Sequence, residues 1–203
     1  MIKVLVFLFF IFNTGWSLTL FEINQIKNWK LLQDNAVKIE WAAYKNYRIS
    51  KAEMIFNHNI NSISSKIENI EEYPNIFERV TATKRLDVDI IQVILSLPFP
   101  FSGRDYVIKY KKEILEGDDS WVFIFDSVTH PDAILKPGNV RLPDATGIWI
   151  LKPISSNITK VIYAWNGELL GNFPEVGLQR AWMTQGTEVL VWLEKSLNDI
   201  NKQ

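Results

Sequence analysis

The chain has no cysteine and only two histidines, His58 and His130, among its 203 residues. Without cysteine there is no disulfide, no thiolate metal ligand and no thiol nucleophile. The two histidines are far apart and neither belongs to a His-x-x-x-His or Glu-x-x-His pattern, so no metal site is expected. The chain also lacks a glycine-rich phosphate loop and a Gly-x-Ser-x-Gly motif, and no cofactor is expected.

A strong charge of either sign is also missing. The chain has 22 Lys and Arg against 23 Asp and Glu, and its formal net charge is −1 at pH 7. No basic cluster interrupts this balance, which argues against nucleic acid as a partner and against strong electrostatic docking to an anionic membrane. Aromatic residues, by contrast, reach 13%, with eight tryptophans. Such a chain can build a large core or line a large apolar cavity.

The N-terminus contains the one long apolar run. Lys3 precedes nine apolar residues, 4–12, and the small residues Gly15 and Ser17 follow. Nine residues are too few to span a bilayer, which needs about 20. The pattern predicts a secretory signal peptide, residues 1–17, and therefore a protein exported to the periplasm or outside the cell. The alternative is a buried N-terminal strand.

Hydrophobic spacing along the rest of the chain predicts an α+β fold. Period-two and helical patterns alternate in the order helix, hairpin, helix pair, about seven strands, and a long final helix. The expected ranges are 21–33 for the first helix, 38–44 and 47–56 for the hairpin, 60–72 and 75–79 for the helix pair, two strands within 80–97, further strands at 104–115, 120–128, 139–142, 146–151 and 158–165, and a last helix from 172–174 onwards. A curved antiparallel sheet wrapped around the last helix satisfies this order.

The last helix has an apolar stripe at spacings of three and four, interrupted by a glycine. The predicted stripe is Leu178, Trp182, Gln185, Val189, Leu193 and Leu197. Gly186 costs about 1 kcal/mol relative to alanine in an exposed helix. A glycine at this point allows another element to approach the helix closely.

The clearest local motif is Leu97–Val107, in which two prolines alternate with two phenylalanines before Ser-Gly and Arg-Asp. Because proline cannot donate to a sheet, one strand must end near Pro98. The Ser-Gly pair predicts a turn, and the alternating residues after it predict a new strand that begins about Asp105. Aromatic rings are therefore expected around the junction of the two strands, with the charged pair Arg104-Asp105 beside them.

This stretch resembles the START family of lipid-binding domains, which carry a proline-rich aromatic corner before an Arg-Asp pair that opens a central strand. Four further segments resemble the family and occur in its order. They are residues 125–131, 138–141 and 148–153, and Pro174 at the start of the last helix. Together the segments cover roughly residues 37–197. The resemblance implies one START-like domain, residues 18–203, with the helix-grip architecture shared with Bet v 1-like proteins.

The resemblance also implies an internal cavity that binds a lipid or another hydrophobic molecule. The expected lining and ligand-binding residues are Phe99, Phe101, Arg104, Tyr106, Ile108, Tyr110, Phe123, Phe125, Arg141, Trp149, Tyr163, Trp165, Trp182 and Val189. The last helix and the loops at the mouth are expected to act as a gate, with Gly171 and Gly186 permitting the motion. On composition alone the same aromatic residues would more often form a filled core.

Arg104 and Arg141 are the most specific polar candidates. An arginine in an apolar wall must be paired, since an unpaired buried charge costs several kcal/mol. One interpretation is an ion pair with Asp105 or Asp126, and the other is a bidentate contact with a ligand headgroup. Some sterol-binding START members place a second arginine where this chain has Tyr110, so a sterol-type charged pair is not expected.

The leading functional prediction is a non-enzymatic binding or transfer module, monomeric, with transient contact to a membrane. The alternative is a helix-grip enzyme of the cyclase or hydratase type that acts on an aromatic or polyketide ligand. It would need a general acid or base in the cavity, for which Tyr106, Tyr110, Tyr163 and Asp126 are the candidates. A third possibility is a ligand-free scaffold that binds another envelope protein.

Overall fold

The structure is a computed structural model that describes residues 17–115, 117 and 119–200. The predicted signal peptide, apart from Ser17, lies outside the described residues. Two residues of the predicted turn at 116–119 also lie outside them. Within the described residues, no helix is long and apolar enough to cross a bilayer.

Ten strands form one sheet, which is antiparallel except where the short β8 runs parallel to β6. The strands are β1 Lys30–Asp34, β2 Lys38–Tyr44, β3 Tyr47–Phe56, β4 Val80–Arg85, β5 Ile90–Leu95, β6 Arg104–Ile114, β7 Trp121–Ser127, β8 Val140–Arg141, β9 Gly147–Ser155 and β10 Ile158–Asn166. Nine of them follow the spatial order β1-β2-β3-β10-β9-β7-β6-β5-β4, and β8 lies off this path beside β6. In the described part of the chain, four α-helices accompany the sheet: α1 Leu20–Gln25, α2 Ile60–Glu68, α3 Tyr73–Ile76 and α4 Leu178–Ile200. The predicted α+β helix-grip architecture is confirmed.

Each face of the sheet buries its own apolar cluster. On the inner face, α4 packs on β1, β2 and β3, and α2 and α3 complete the cover. On the outer face, α1 and the residues before it cover a second cluster that includes Leu18 and Ile23. Strand β7 contributes Phe123 to the inner cluster and Val122 to the outer one. This two-sided cover explains why β7 is continuously hydrophobic rather than alternating.

The predicted helix at 21–33 is wrong in its second half. Thr19 caps α1 by accepting a hydrogen bond from the Glu22 amide (3.2 Å), and the helix ends at Gln25. From Lys30 the chain joins the sheet as β1 and pairs with β2. The helical spacing of the apolar residues continued past Gln25, but pairing with an otherwise unpaired strand edge satisfies more backbone groups.

The predicted hairpin is confirmed. Lys45 and Asn46 connect β2 and β3 with φ of 47° and 67°, the left-handed pair that a two-residue hairpin turn requires. Asn59 caps α2 by accepting a hydrogen bond from the Ser62 amide (2.9 Å). The helix predicted at 60–72 ends earlier, at Glu68, and a 3₁₀ turn, Ile70–Glu72, follows it. The helix predicted at 75–79 is observed as Tyr73–Ile76, with Pro74 in its first turn.

Helix α4 begins later than predicted and buries a slightly different stripe. A 3₁₀ turn, Glu175–Gly177, precedes it, so the helix starts at Leu178. Leu190 and Gly186 belong to the buried face, whereas the predicted Gln185 and Val189 do not. A Cβ on Gly186 would lie 3.0 Å from the Ala52 Cβ atom. The glycine therefore sets how closely α4 approaches β3, as predicted.

Candidate functional site

A cavity of about 410 Å³ lies between the inner face of the sheet and the helices. Its walls come from β6, β7, β9 and β10, from α4, and from the segments around α2 and α3. This size is within the usual range for small-molecule sites, roughly 300–1,000 Å³. The side chains of the inner face therefore leave a space of ligand size between them.

Eleven of the fourteen predicted site residues line this cavity. They are Phe101, Arg104, Tyr106, Ile108, Tyr110, Phe123, Phe125, Trp149, Tyr163, Trp165 and Val189. The four on β6 are two residues apart and share the inner face, as the period of a strand requires. Trp149, Tyr163 and Trp165 stack in sequence, with ring centroids 4.3 and 4.7 Å apart. These stacked rings form a rigid apolar wall.

Three predicted residues lie elsewhere. Phe99 sits at the tip of its loop and is 96% exposed, because the prolines on both sides carry it away from the sheet. Trp182 is buried on the core side of α4, where it packs on Trp41 and donates its indole N–H to the Gly167 carbonyl (2.7 Å). Arg141 pairs with a carboxylate and does not reach the cavity.

The partner of Arg141 is Asp105, whose side chain is completely buried. Arg141 also donates to the Ala133 carbonyl (3.0 Å), and Gln92 donates to both Asp105 and the Ile134 carbonyl. This network fastens the loop before β8 to the sheet. For Arg141, the structure therefore shows the ion-pair interpretation, with Asp105 as the partner.

Arg104 has 0% exposure and takes neither of its predicted partners. Its guanidinium donates to the carbonyls of Leu169, Leu170 (2.9 Å), Ser102 (2.6 Å) and Gly103 (3.3 Å). No carboxylate forms an ion pair with it among the residues that the structure describes. Burial lowers the pKa of its guanidinium. Arg104 therefore clamps the loop before α4 to the start of β6.

Four tyrosines line the cavity: Tyr73, Tyr106, Tyr110 and Tyr163. Tyr73 donates to the Ile67 carbonyl (2.8 Å). The hydroxyls of Tyr106 and Tyr163 have no hydrogen-bond partner in the part of the chain that the structure describes. Desolvation raises the pKa of both phenols well above the ordinary value. Both groups therefore stay protonated near neutral pH and can act as hydrogen-bond donors.

Two contacts between separate segments close the rim of the cavity. The Phe101 and Phe173 rings pack 4.6 Å apart and join the loop before β6 to the loop before α4. Arg79 binds Glu188 of α4 through two hydrogen bonds of 2.5 and 2.6 Å. Sequence reasoning missed Phe173, Arg79 and Glu188, because charged and aromatic residues outside the regular patterns give no local signal of their partners.

Groupings of residues that could hold a metal ion are absent from the described part of the chain. The candidate catalytic carboxylate, Asp126, does not line the cavity. It instead accepts hydrogen bonds from Ser17 and Thr146 near the outer cluster. The cavity thus offers aromatic surface, phenol hydroxyls, the rim ion pair of Arg79 and Glu188, and the charged residues Arg104, Asp144, Glu168 and Arg180.

Replacing Arg104 with methionine tests the clamp. The variant Arg104→Met keeps an apolar stem but leaves buried carbonyls without donors, and we expect a loss on the order of 3 kcal/mol in the free energy of unfolding. Urea denaturation measures this loss. Arg180→Met is the matched control, since Arg180 lines the rim but is exposed. Equal effects of the two substitutions would contradict the clamp.

Comparison with known proteins places the fold. Neither a protein-family model nor a curated protein sequence matches the chain. Among solved structures, it is similar to a STAR-related lipid transfer protein from Xanthomonas axonopodis, with 23% identity, a TM-score of 0.73, and 85% and 99% of the two chains covered. Human StAR-related lipid transfer protein 5 gives 17% identity and a TM-score of 0.78 over 89% and 92%. An aromatase/cyclase from Streptomyces is more distant, with 8% identity and a TM-score of 0.51 over 74% and 93%. The protein therefore has the helix-grip fold of the START domains.

Proposed function

We propose that the protein binds one hydrophobic ligand, a lipid, in the cavity and releases it through the rim formed by α4 and its neighbouring loops. The observation that carries this proposal is a cavity of about 410 Å³ walled by stacked aromatic and aliphatic side chains. Each buried methylene of an acyl chain contributes about 0.8 kcal/mol. The lipid-transfer proteins with the same fold support this choice of ligand class.

The polar groups of the wall suggest what else the ligand carries. Tyr106 and Tyr163 supply hydroxyl donors that no described residue accepts from, whereas the N–H groups of Arg104 are largely taken by backbone carbonyls. A ligand with one acceptor, such as a hydroxyl, ester carbonyl or carboxylate, would satisfy these phenols. We therefore favour an amphiphile over a pure hydrocarbon.

The enzymatic alternative has weaker support. Asp126 lies outside the cavity wall, and the Tyr110 hydroxyl lies 3.5 Å from an Arg85 nitrogen. The raised pKa of Tyr106 and Tyr163 makes both poor general bases near neutral pH. The likeness to an aromatase/cyclase concerns the fold, which hosts different functions in different proteins.

Filling the cavity should abolish binding. In Val189→Trp an indole replaces a cavity-lining side chain of α4, and we expect the affinity for a single-chain lipid to fall by about tenfold or more because the ligand loses its space. Native mass spectrometry of protein mixed with a C16 fatty acid measures the lipid-bound fraction. Val191→Trp is the control, since Val191 is on the exposed side of the same helix. Unchanged binding by Val189→Trp would refute the proposed site.

Removing the phenol hydroxyls should weaken binding of ligands that carry an acceptor. For Tyr106→Phe and Tyr163→Phe we expect the affinity for a fatty acid or fatty alcohol to fall about 2- to 10-fold, the effect of one hydrogen bond. Binding of an alkane probe of equal length should not change. Tyr110→Phe is the matched control from the same face of β6, because the Tyr110 hydroxyl already has a partner in Arg85. If alkane and alcohol affinities respond alike, the hydroxyls do not recognise the ligand.

The same rim offers a surface for transient contact with a membrane. Phe99 and Val176 are 96% and 93% exposed, and each lies within three residues of the packed pair Phe101 and Phe173. Leu170, in the loop clamped by Arg104, is also exposed. We propose that these residues enter the surface of a bilayer while the ligand passes through the rim, since exposed apolar residues beside a cavity mark such sites.

Polar substitution of this surface should reduce membrane binding without affecting the cavity. We expect Phe99→Ser with Val176→Ser to lower partitioning onto phosphatidylcholine vesicles on the order of tenfold, since a buried apolar side chain contributes roughly 1.5–3 kcal/mol. Vesicle co-sedimentation measures the partitioning. Val88→Ser removes an equally exposed valine from the turn between β4 and β5, away from the rim, and should have no effect. If the control lowers partitioning equally, the rim is not the contact surface.

A further inference from the structure

The first described residues are held by a specific polar pocket. The Leu18 amide donates to the Thr146 hydroxyl (3.0 Å), which donates to Asp126 Oδ1 (3.0 Å). The Ser17 hydroxyl donates to Asp126 Oδ2 (2.9 Å). Leu18 itself has 0% exposure and belongs to the outer apolar cluster. The backbone at residues 17 and 18 is therefore fixed at the ends of β7 and β9.

The carboxylate in this pocket has no cationic partner. Asp126 takes part in none of the ion pairs of the described residues, although it is half-buried. Its two oxygens accept only from the hydroxyls of Ser17 and Thr146. A charge in such a setting favours an opposite charge within a few ångströms. Lys109 is the cross-strand neighbour of Asp126 but pairs with Asp89, and a chain that begins at Leu18 would place its α-ammonium beside the Thr146 hydroxyl that donates to Asp126.

We propose that Asp126 and Thr146 form a docking site for the α-ammonium group of a chain that begins at Leu18. The sequence before it has the apolar run and small residues of a secretory leader, and the predicted cut follows Ser17. A signal peptidase would add water across the Ser17–Leu18 peptide bond. That hydrolysis leaves a carboxylate on Ser17 and an amine on Leu18, which takes up a proton.

Removal of the leader changes the charge of the pocket in a defined way. The departing Ser17 frees Asp126 Oδ2, and the new ammonium keeps the Thr146 hydroxyl as a neighbour. The Asp126 carboxylate then has a cation beside it that the uncut chain lacks. Because Leu18 is already buried, the pair forms with little additional ordering of the chain, and we infer that it fixes the processed N-terminus against β7 and β9.

The test uses the full 203-residue chain expressed with its own leader in a Gram-negative bacterium. Intact mass of the exported protein should correspond to a chain that begins at Leu18. The α-amine is then labelled with acetic anhydride at pH 7, and the rate is read from the N-terminal peptide. We expect labelling in the folded protein to be about tenfold slower than in Asp126→Asn, since a pKa raised by one unit lowers the free-amine fraction tenfold.

Asp144→Asn is the matched control, because Asp144 lies two residues from Thr146 but does not bind residues 17 and 18. It should label at the wild-type rate. If Asp126→Asn does not fold, the wild-type rate in the folded state and in urea gives the same comparison without a variant. A mature chain that starts at another residue would overturn the proposal. So would an α-amine that labels equally fast in the folded, unfolded and Asp126→Asn proteins.

Discussion

The position of α4 over one half of the sheet is the constraint on which the rest of the structure depends. Its main contacts with the sheet are to β1, β2 and β3, where Gly186 lets the helix lie directly on Ala52. Helix α4 therefore leaves the inner face of β6 and β7 to other elements, and β9 is contacted by α2. Large side chains from these strands reach across the gap but do not fill it, and the cavity is the space that remains.

Stacking explains why this space does not collapse. A cavity usually shrinks when the surrounding side chains relax into it, and the cost of an empty volume depends on how far they can move. Here Tyr163 is held between Trp149 and Trp165, and a shift of one ring would disturb the others. The wall is rigid because its members support one another, which leaves the interior open to a ligand.

Two polar contacts hold the rim with different strength: the hydrogen bonds of buried Arg104 to the loop before α4, and the Arg79–Glu188 ion pair. Opening the loop at Leu169 and Leu170 would strip the guanidinium of carbonyls in a dry site, where hydrogen bonds to a charged group contribute about 1.5–3 kcal/mol each. The Arg79–Glu188 pair is partly exposed, so water can replace its bonds at a smaller cost. Any opening of the rim should therefore begin at this pair, with the clamped loop remaining in place.

The sequence predicted the structure correctly where the spacing of hydrophobic residues determines which face of a strand they occupy. Alternation alone placed Tyr106, Ile108 and Tyr110 on one face of β6, and the resemblance supplied the cavity that this face meets. It did not predict the contacts of a side chain whose partner is distant in the sequence. Arg104 and Arg141 look alike in sequence. The Arg104 guanidinium nevertheless donates to loop carbonyls, whereas Arg141 forms an ion pair with Asp105.

The failure at Phe99 has the same origin. A phenylalanine between two prolines is a good candidate for a cavity wall on composition, but the prolines hold the loop away from the sheet and expose the ring. Similarly, the apolar spacing after Gln25 fits a helix until the exposed edge of β2 is taken into account. Both errors concern the tertiary environment, which short-range patterns do not contain.

The hydroxyls of Tyr106 and Tyr163 bear on the chemistry of the ligand as well as on the shape of the cavity. Tyr106 and Tyr163 are half-buried and line the cavity, and their hydroxyls have no acceptor among the described residues. Tyr106 and Tyr163 could have been phenylalanines if the cavity only needed apolar surface. In our proposal, an acceptor on the ligand receives hydrogen bonds from these two hydroxyls. This is the reason for proposing an amphiphile rather than a pure hydrocarbon as the occupant.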